Sequence, residues 1–180
     1  YANSTAGVNV NLTLATAQTG GYAVGDILSG IENVTGSAFN DTLTALATGS
    51  TLDGGAGNDI LGGGNGNDML IGGTGVDTIN GGAGIDTVSY ATSSGGVNID
   101  IALTTAQSWS DAQGDILSNI ENIIGSSYGD TLNGNAVENV INGGDGNDTI
   151  YSKDGNDTVS GGNGDDTLDA GIGNDTVHGD

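Results

Sequence analysis

The chain has no cysteine and no proline, and among its 180 residues a single one, Lys153, is basic. Without cysteine it has no disulfide framework, which suits an extracellular protein that does not use disulfides and equally the many cytosolic chains that lack them. The lone lysine stands against 23 acidic residues, for a net charge of −22. With no cationic patch to displace counterions, nucleic acid and anionic membrane surfaces are excluded as partners. No apolar run approaches the roughly 20 residues needed to span a bilayer, so membrane insertion is not expected. Aromatic residues are only 4% of the chain, which excludes a broad globular core.

What is abundant is glycine, at 36 residues. Such a share signals either a repeat or disorder. An acidic chain poor in aromatics ordinarily cannot bury enough apolar surface to offset its ordering entropy. Here, however, the aliphatic residues are regularly placed, and the pattern decides for order.

Internal repeats come in units of nine. Gly54 to Gly62 is followed without a gap by Gly63 to Ile71, Gly72 to Asn80 and Gly81 to Ser89. Each has glycine at positions 1, 2 and 4, aspartate at 6 and an aliphatic residue at 8. The frame returns from Gly143 to Tyr151, Ser152 to Ser160, Gly161 to Asp169 and Ala170 to His178. Weaker units precede each block: Gly36 to Thr44 keeps Asp41, and Gly125 to Asn133 keeps Asp130. The units after those place Ser50 and Asn139 where aspartate belongs.

A longer period encloses the short one. A shift of 89 residues places Tyr1 on Tyr90, Gly25–Ser29 on Gly114–Ser118 and Ile31-Glu32-Asn33 on Ile120-Glu121-Asn122. Two tandem modules are expected, residues 1–89 and 90–180, each with an insert segment (about 1–30 and about 90–119) before its nonapeptides. The insert alternates Val8, Val10, Leu12 and Leu14, and in the second copy Val97, Ile99, Ile101 and Leu103. Strict alternation predicts a half-buried strand, then a surface loop, with re-entry into the repeat near Ile31 and Ile120.

Three glycines in four residues let the backbone turn sharply through positive φ and aim several carbonyl oxygens at one spot. Aspartate at position 6 adds a carboxylate, and positions 7 to 9 form a short strand with its aliphatic residue inward. Six to eight hard oxygen ligands are what calcium takes; magnesium demands fewer, stricter contacts. Zinc and copper favour histidine or cysteine, and His178 is the only such residue. The expected ligand is Ca2+.

The pattern GGxGxDxUx, with U aliphatic, resembles the haemolysin-type calcium-binding repeat of RTX proteins. The interposed Ile31-Glu32-Asn33-Val34 and Ile120-Glu121-Asn122-Ile123 look like segments between RTX blocks of large secreted bacterial proteins. The resemblance implies an all-β fold, a right-handed parallel β-roll (β-solenoid) with two nonapeptides per turn, and calcium between a loop and the loop two repeats later. Carried onto this chain, the paired carboxylates would be Asp41 with Asp59, Asp59 with Asp77, Asp68 with Asp86, Asp130 with Asp148, Asp148 with Asp166, and Asp157 with Asp175. Backbone carbonyls would complete the shells: Gly55, Gly57, Gly64, Gly66, Gly73, Gly75, Gly82 and Gly84 in the first module. In the second they would be Gly144, Gly146, Gly155, Gly162, Gly164, Gly171 and Gly173. Sites pairing Ser50 with Asp68 or Asn139 with Asp157 would be weak or empty.

About six well-formed sites follow, bringing the net charge from −22 to about −10 when filled. Carboxylates stacked one strand spacing apart, about 4.8 Å, repel without a cation between them. The apo chain is therefore expected to be largely disordered, with ion binding supplying folding free energy. The resemblance further implies type I secretion from a Gram-negative bacterium and folding outside the cell. The host would be a spacer, adhesin stalk or surface-layer component, in contact with neighbouring copies of the module.

Alternatives differ in class. The chain could be the C-terminal calcium module of a secreted epimerase, protease or lipase whose catalytic domain lies elsewhere. Trp109, with Tyr22 and Tyr128, could stack on a polysaccharide, although a lone aromatic more often caps an exposed end of a core. Thr78, Thr87, Thr149, Thr158, Thr167 and Thr176 face outward at position 7. They could suit ice, but β-propensity explains them as well. Nearly all the carboxylates sit at repeat positions, so no catalytic pair is expected and the chain is read as not an enzyme.

Overall fold

The structure, a computed structural model, describes residues 1–179. Glycine-rich turns interrupt the chain every nine residues, so each strand is short. In the first half these are β1 (Asn9–Asn11), β2 (Asn33–Thr35), β3 (Thr42–Thr44), β4 (Thr51–Ala56), β5 (Ile60–Asn65), β6 (Met69–Thr74), β7 (Thr78–Ala83) and β8 (Thr87–Ser89). In the second half they are β9 (Asn98–Asp100), β10 (Ile116–Ser118), β11 (Asn122–Ile124), β12 (Thr131–Asn133), β13 (Val140–Asp145), β14 (Thr149–Tyr151), β15 (Thr158–Asn163), β16 (Thr167–Asp169) and β17 (Thr176–His178). The longer ones run on from positions 7–9 into the next glycine pair.

Every strand-to-strand ladder is parallel, and the repeat register is 18 residues: Leu61 lies on Leu43, Ile79 on Leu61, and Leu70 on Leu52. The chain is thus a β-solenoid, with successive nonapeptides on alternate sides. One side is a continuous sheet, β2-β4-β6-β8-β11-β13-β15-β17. The other is divided into β1-β3-β5-β7-β10 and β9-β12-β14-β16. Because a strand of three residues points only its middle side chain inward, the core is a single file from each sheet. Leu43, Leu52, Leu61, Leu70, Ile79 and Val88 are at most 1% exposed. One aliphatic residue per nine is a thin core against the ordering entropy of nine residues.

The alternating insert segment finds its partner within its own module. β1 stacks on β3 with Val10 over Leu43, and β9 stacks on β12 with Ile99 over Leu132. The strand is shorter than the alternation predicts. Val8, Val10 and Leu12 are buried, but Leu14 is 44% exposed, and Leu103 is 49% exposed in the second copy. The chain has already turned there: the Leu14 amide bonds the Asn11 carbonyl, and the Gln18 side chain accepts from the Asn11 amide at 2.7 Å.

Re-entry in the second copy comes earlier than Ile120. β10 already stacks on β7 with Leu117 over Ile79, and β11 follows on β8 with Ile123 over Val88. The corresponding Ile27-Leu28-Ser29 of the first copy, identical in sequence, forms no strand.

Candidate metal centre

The position-6 aspartates are drawn inward by the turn, not splayed into water. Asp41, Asp59, Asp68, Asp77, Asp86, Asp130, Asp148 and Asp157 are all at most 2% exposed; Asp166 and Asp175, near the end of the stack, are half-buried. One oxygen of each serves the fold. The amide of Asp59 donates to Oδ1 of Asp77, that of Asp68 to Asp86, and that of Asp41 to Asp59, each at 2.8 Å. The same bond joins Asp130 to Asp148, Asp148 to Asp166 and Asp157 to Asp175 at 2.8–2.9 Å. Each of the six expected pairs is brought together in this way, 18 residues apart.

In seven of these ten aspartates the other oxygen has nothing to bond. Oδ2 of Asp59, Asp68, Asp77, Asp86, Asp148, Asp157 and Asp166 is buried without a hydrogen-bond partner. Unpaired buried carboxylate oxygens are costly, and folds rarely leave one, let alone a column of them.

Backbone carbonyls of the glycine-rich loops point along the stack towards the next turn. At Gly73 (φ 95°) and Gly75 (φ 141°) a side chain would run into the carbonyls of Gly55 and Gly57, one turn below. Gly82 and Gly84 meet the carbonyls of Gly64 and Gly66, and Gly162 and Gly164 those of Gly144 and Gly146, in the same way. Gly171 meets Lys153, and Gly173 meets Gly155. Among the described residues no three acidic, histidine or cysteine side chains cluster. Charged, oxygen-only, carbonyl-rich surroundings fit a hard divalent cation.

The RTX calcium-binding nonapeptide repeat family matches the chain over residues 27–61, 35–70, 53–88, 124–159 and 153–180. The chain belongs to this family. Its repeats are calcium-binding repeats, and the parallel stack is an RTX β-roll. A search of curated proteins found no relative with significant sequence similarity.

Electrostatics within the RTX roll follow from burial. Burial holds the carboxyls of Asp59, Asp68, Asp77 and Asp148 up at about 6, against 3.8 ordinarily, with the amide bonds to Oδ1 pulling the other way. Asp86 and Asp130 are raised for the same reason. Without a cation, these side chains resist ionising in the fold.

The weaker RTX units solve the problem differently. Asp41 accepts from the Val8 amide at 2.6 Å, from the Ser37 hydroxyl at 2.8 Å and from the Ser37 amide. Asp130 is engaged alike by Val97 and Ser126. Ser50 accepts from the Leu46 amide and Asn139 from the Asn135 amide, both at 2.9 Å. In each case the residue at position 2 closes the loop with its own amide. The four glycine-rich units of the first block instead hold that position at positive φ and leave Oδ2 bare.

Two acidic residues outside the nine-residue pattern accept the same kind of amide bond. Where the modules meet, Oδ1 of Asp115 takes the amide of Asp77, and Oε2 of Glu121 takes the amide of Asp86, both at 2.8 Å. Each stands two residues before an inward aliphatic, Leu117 and Ile123, which is the signal that would have found them. Asp115 Oδ2 accepts the Tyr90 hydroxyl at 2.9 Å. The asparagines at position 5 form a second ladder: Asn58 bonds the Val76 amide, Asn67 the Ile85 amide and Asn147 the Asp165 amide, each at 3.0 Å.

Other residues singled out from the sequence stay at the surface. His178 is exposed, and Trp109, Tyr22 and Tyr128 are about half exposed, with Trp109 in a turn at φ 71°. The position-7 threonines are exposed or half-buried on the outer face.

Proposed function

We propose that this chain is a calcium-stiffened, non-catalytic repeat of a secreted or cell-surface protein, folding on calcium outside a Gram-negative cell. The observation that carries the reading is the column of buried, unpartnered Oδ2 atoms. Seven negative oxygens deprived of both water and donors make the ion-free roll costly, and a divalent ion between loops relieves each one. The ligands would be the carboxylates of Asp59, Asp68, Asp77, Asp86, Asp148, Asp157, Asp166 and Asp175, with carbonyls of the position-2 and position-4 residues, chiefly glycines. Asp41 and Asp130 would contribute weakly, since their oxygens already accept amide and hydroxyl protons. About six ions would be held, at the roughly 10⁻⁴–10⁻³ M affinity of extracellular modules.

Two tandem modules, residues 1–89 and 90–180, suit a spacer, adhesin stalk or surface layer, because stacking extends reach without new chemistry. The raised carboxyls sit at repeat positions and at the seam, a distribution that speaks for a structural role and against a catalytic site. Isothermal titration with calcium tests the reading: about six ions, released by chelator, are expected. One or two ions, or equal affinity for magnesium, would contradict it.

A further inference from the structure

We propose that the second insert closes a calcium site of its own where the two modules meet. Asp86 Oδ2, the Asn119 carbonyl and the Glu121 carboxylate would hold the ion. The inference rests on the calcium reading above for the neighbouring sites and adds ligands from outside the nonapeptides.

The paired sites show what such a place looks like. A β-carbon on Gly63, at position 1, would run into Asp68 Oδ2 and into the carbonyl of Gly81, the position-1 residue one turn on. At Gly54 the same two neighbours are Asp59 Oδ2 and the Gly72 carbonyl; at Gly143 they are Asp148 Oδ2 and the Gly161 carbonyl. Each unpartnered oxygen thus flanks its own position-1 glycine together with a carbonyl of the next turn. That turn also offers a carboxylate oxygen to the aspartate's amide, as Asp86 does to Asp68 at 2.8 Å.

After Gly81–Asp86 the repeat stops supplying these parts. Eighteen residues beyond Asp86 stands Thr104, so no aspartate pairs with it one turn on. Yet Asp86 is 0% exposed and its Oδ2 has no partner. The insert replaces both missing parts as it leads into β11, the neighbour of β8. A β-carbon on Gly81 would run into Asp86 Oδ2 and the Asn119 carbonyl, just as one on Gly63 would meet Asp68 Oδ2 and the Gly81 carbonyl. Asn119 reaches this place at φ 52°, a left-handed turn that asparagine tolerates better than most side chains. Glu121 Oε2 accepts the Asp86 amide at 2.8 Å. Glu121 is half-buried and borders a groove with Glu138, which leaves room for the waters that fill out a shell of six to eight oxygens.

The other junction lacks this set. Asp77 Oδ2 is as bare as Asp86 Oδ2, and Asp115 takes the Asp77 amide. There, however, a β-carbon on Gly72 would meet only the side chain of Asp77 itself out to 3.2 Å, and the Tyr90 hydroxyl occupies Asp115 Oδ2. Of the two junctions, only the one at Asp86 has a carbonyl in place and a carboxylate free to turn to an ion.

Calcium counting on the whole chain tests the site. Glu121→Gln keeps an oxygen for the Asp86 amide and removes the charge. By isothermal titration it should bind one ion fewer than the unchanged chain. Asp115→Asn, the same change at the other junction, should bind as many as the unchanged chain. An undiminished count in Glu121→Gln would overturn the proposal. So would the loss of an ion in both variants, since that reports a loosened seam. Circular dichroism in saturating calcium shows whether each variant is folded. If Glu121→Gln is not, diffraction from the unchanged chain in calcium decides: an anomalous peak between Asp86 and Glu121 is expected, and a water there would overturn the site. A chain that takes up no calcium anywhere sinks the parent reading as well. Ions at the nonapeptides and none at Glu121 sink this inference alone.

Discussion

The amide of Asp59 donates to Oδ1 of Asp77, 18 residues later and one turn along the roll, at 2.8 Å, while Oδ2 of Asp77 is buried with no partner. One carboxylate thus does two things. Its first oxygen fixes the stacking register, and its second creates a need that the polypeptide leaves unmet. Register and ion demand cannot be separated by removing the side chain, but they can be by changing its charge.

Asp77→Asn keeps an oxygen for the Asp59 amide and removes the anion. It should raise the calcium midpoint by at least about tenfold, the lower end of what even an outer-shell partner of a metal costs. Asp41→Asn should shift the midpoint far less, because Asp41 already accepts from Val8 and Ser37. Titrations of the two variants side by side check this; equal shifts would show that the unpartnered oxygens are not the ligands.

Acid should partly replace calcium. The carboxyls of Asp59, Asp68, Asp77, Asp115 and Asp148 stand at about 6 in the ion-free fold, through burial, against 3.8 ordinarily. A carboxyl that holds its proton more tightly folded than unfolded stabilises the fold when protonated. That contribution is complete below about 4 and is lost as pH rises through about 6. In chelator, β-signal should therefore grow as pH falls from 7 to 5, while the calcium midpoint moves upward over the same window. A flat or falling β-signal in chelator would contradict this.

Trp109, Ser110 and Asn119 have φ of 71°, 43° and 52°, and their first-module counterparts Gly20, Gly21 and Gly30 have 77°, 43° and 64°. The backbone is the same, but a β-carbon there costs about 1–2 kcal/mol. Trp109→Gly should raise the melting temperature of the calcium-loaded chain, since only a half-exposed side chain is lost. A lowered melting temperature would mean that Trp109 holds the insert loop by its ring.

The seam bond predicts a local effect. Tyr90→Phe removes the hydroxyl from buried Asp115 Oδ2, leaving an unsatisfied oxygen worth about 1–3 kcal/mol. The variant should melt earlier and bind the same number of ions. Fewer ions bound would place a calcium site at Asp115 as well.

Much of this was legible before the structure. The ladder of Leu43, Leu52, Leu61 and Leu70, and the aspartates two residues ahead of Leu43, Leu61 and Leu70, are local features of a nine-residue pattern. The parallel stack follows from them once the two-repeat turn is granted. Asp115 and Glu121 were missed because the insert lacks the glycines that frame the pattern, although both keep the spacing to an inward aliphatic. The pairing of β1 with β3 spans 33 residues and has no local signature. The difference between Asp41 and Asp59 turns on the residue at position 2, Ser37 or Gly55, a contrast visible in the sequence but meaningful only once the amide of Ser37 is seen to fold onto the carboxylate.

The central claim is that calcium completes this fold. Far-UV circular dichroism of the chain during a calcium titration at neutral pH, with magnesium as control, tests it most directly. A cooperative gain of β-signal with calcium and none with magnesium is the expected result. Full β-signal in chelator at neutral pH would show that the aliphatic ladder and amide–carboxylate bonds fold the roll unaided, and would contradict the account.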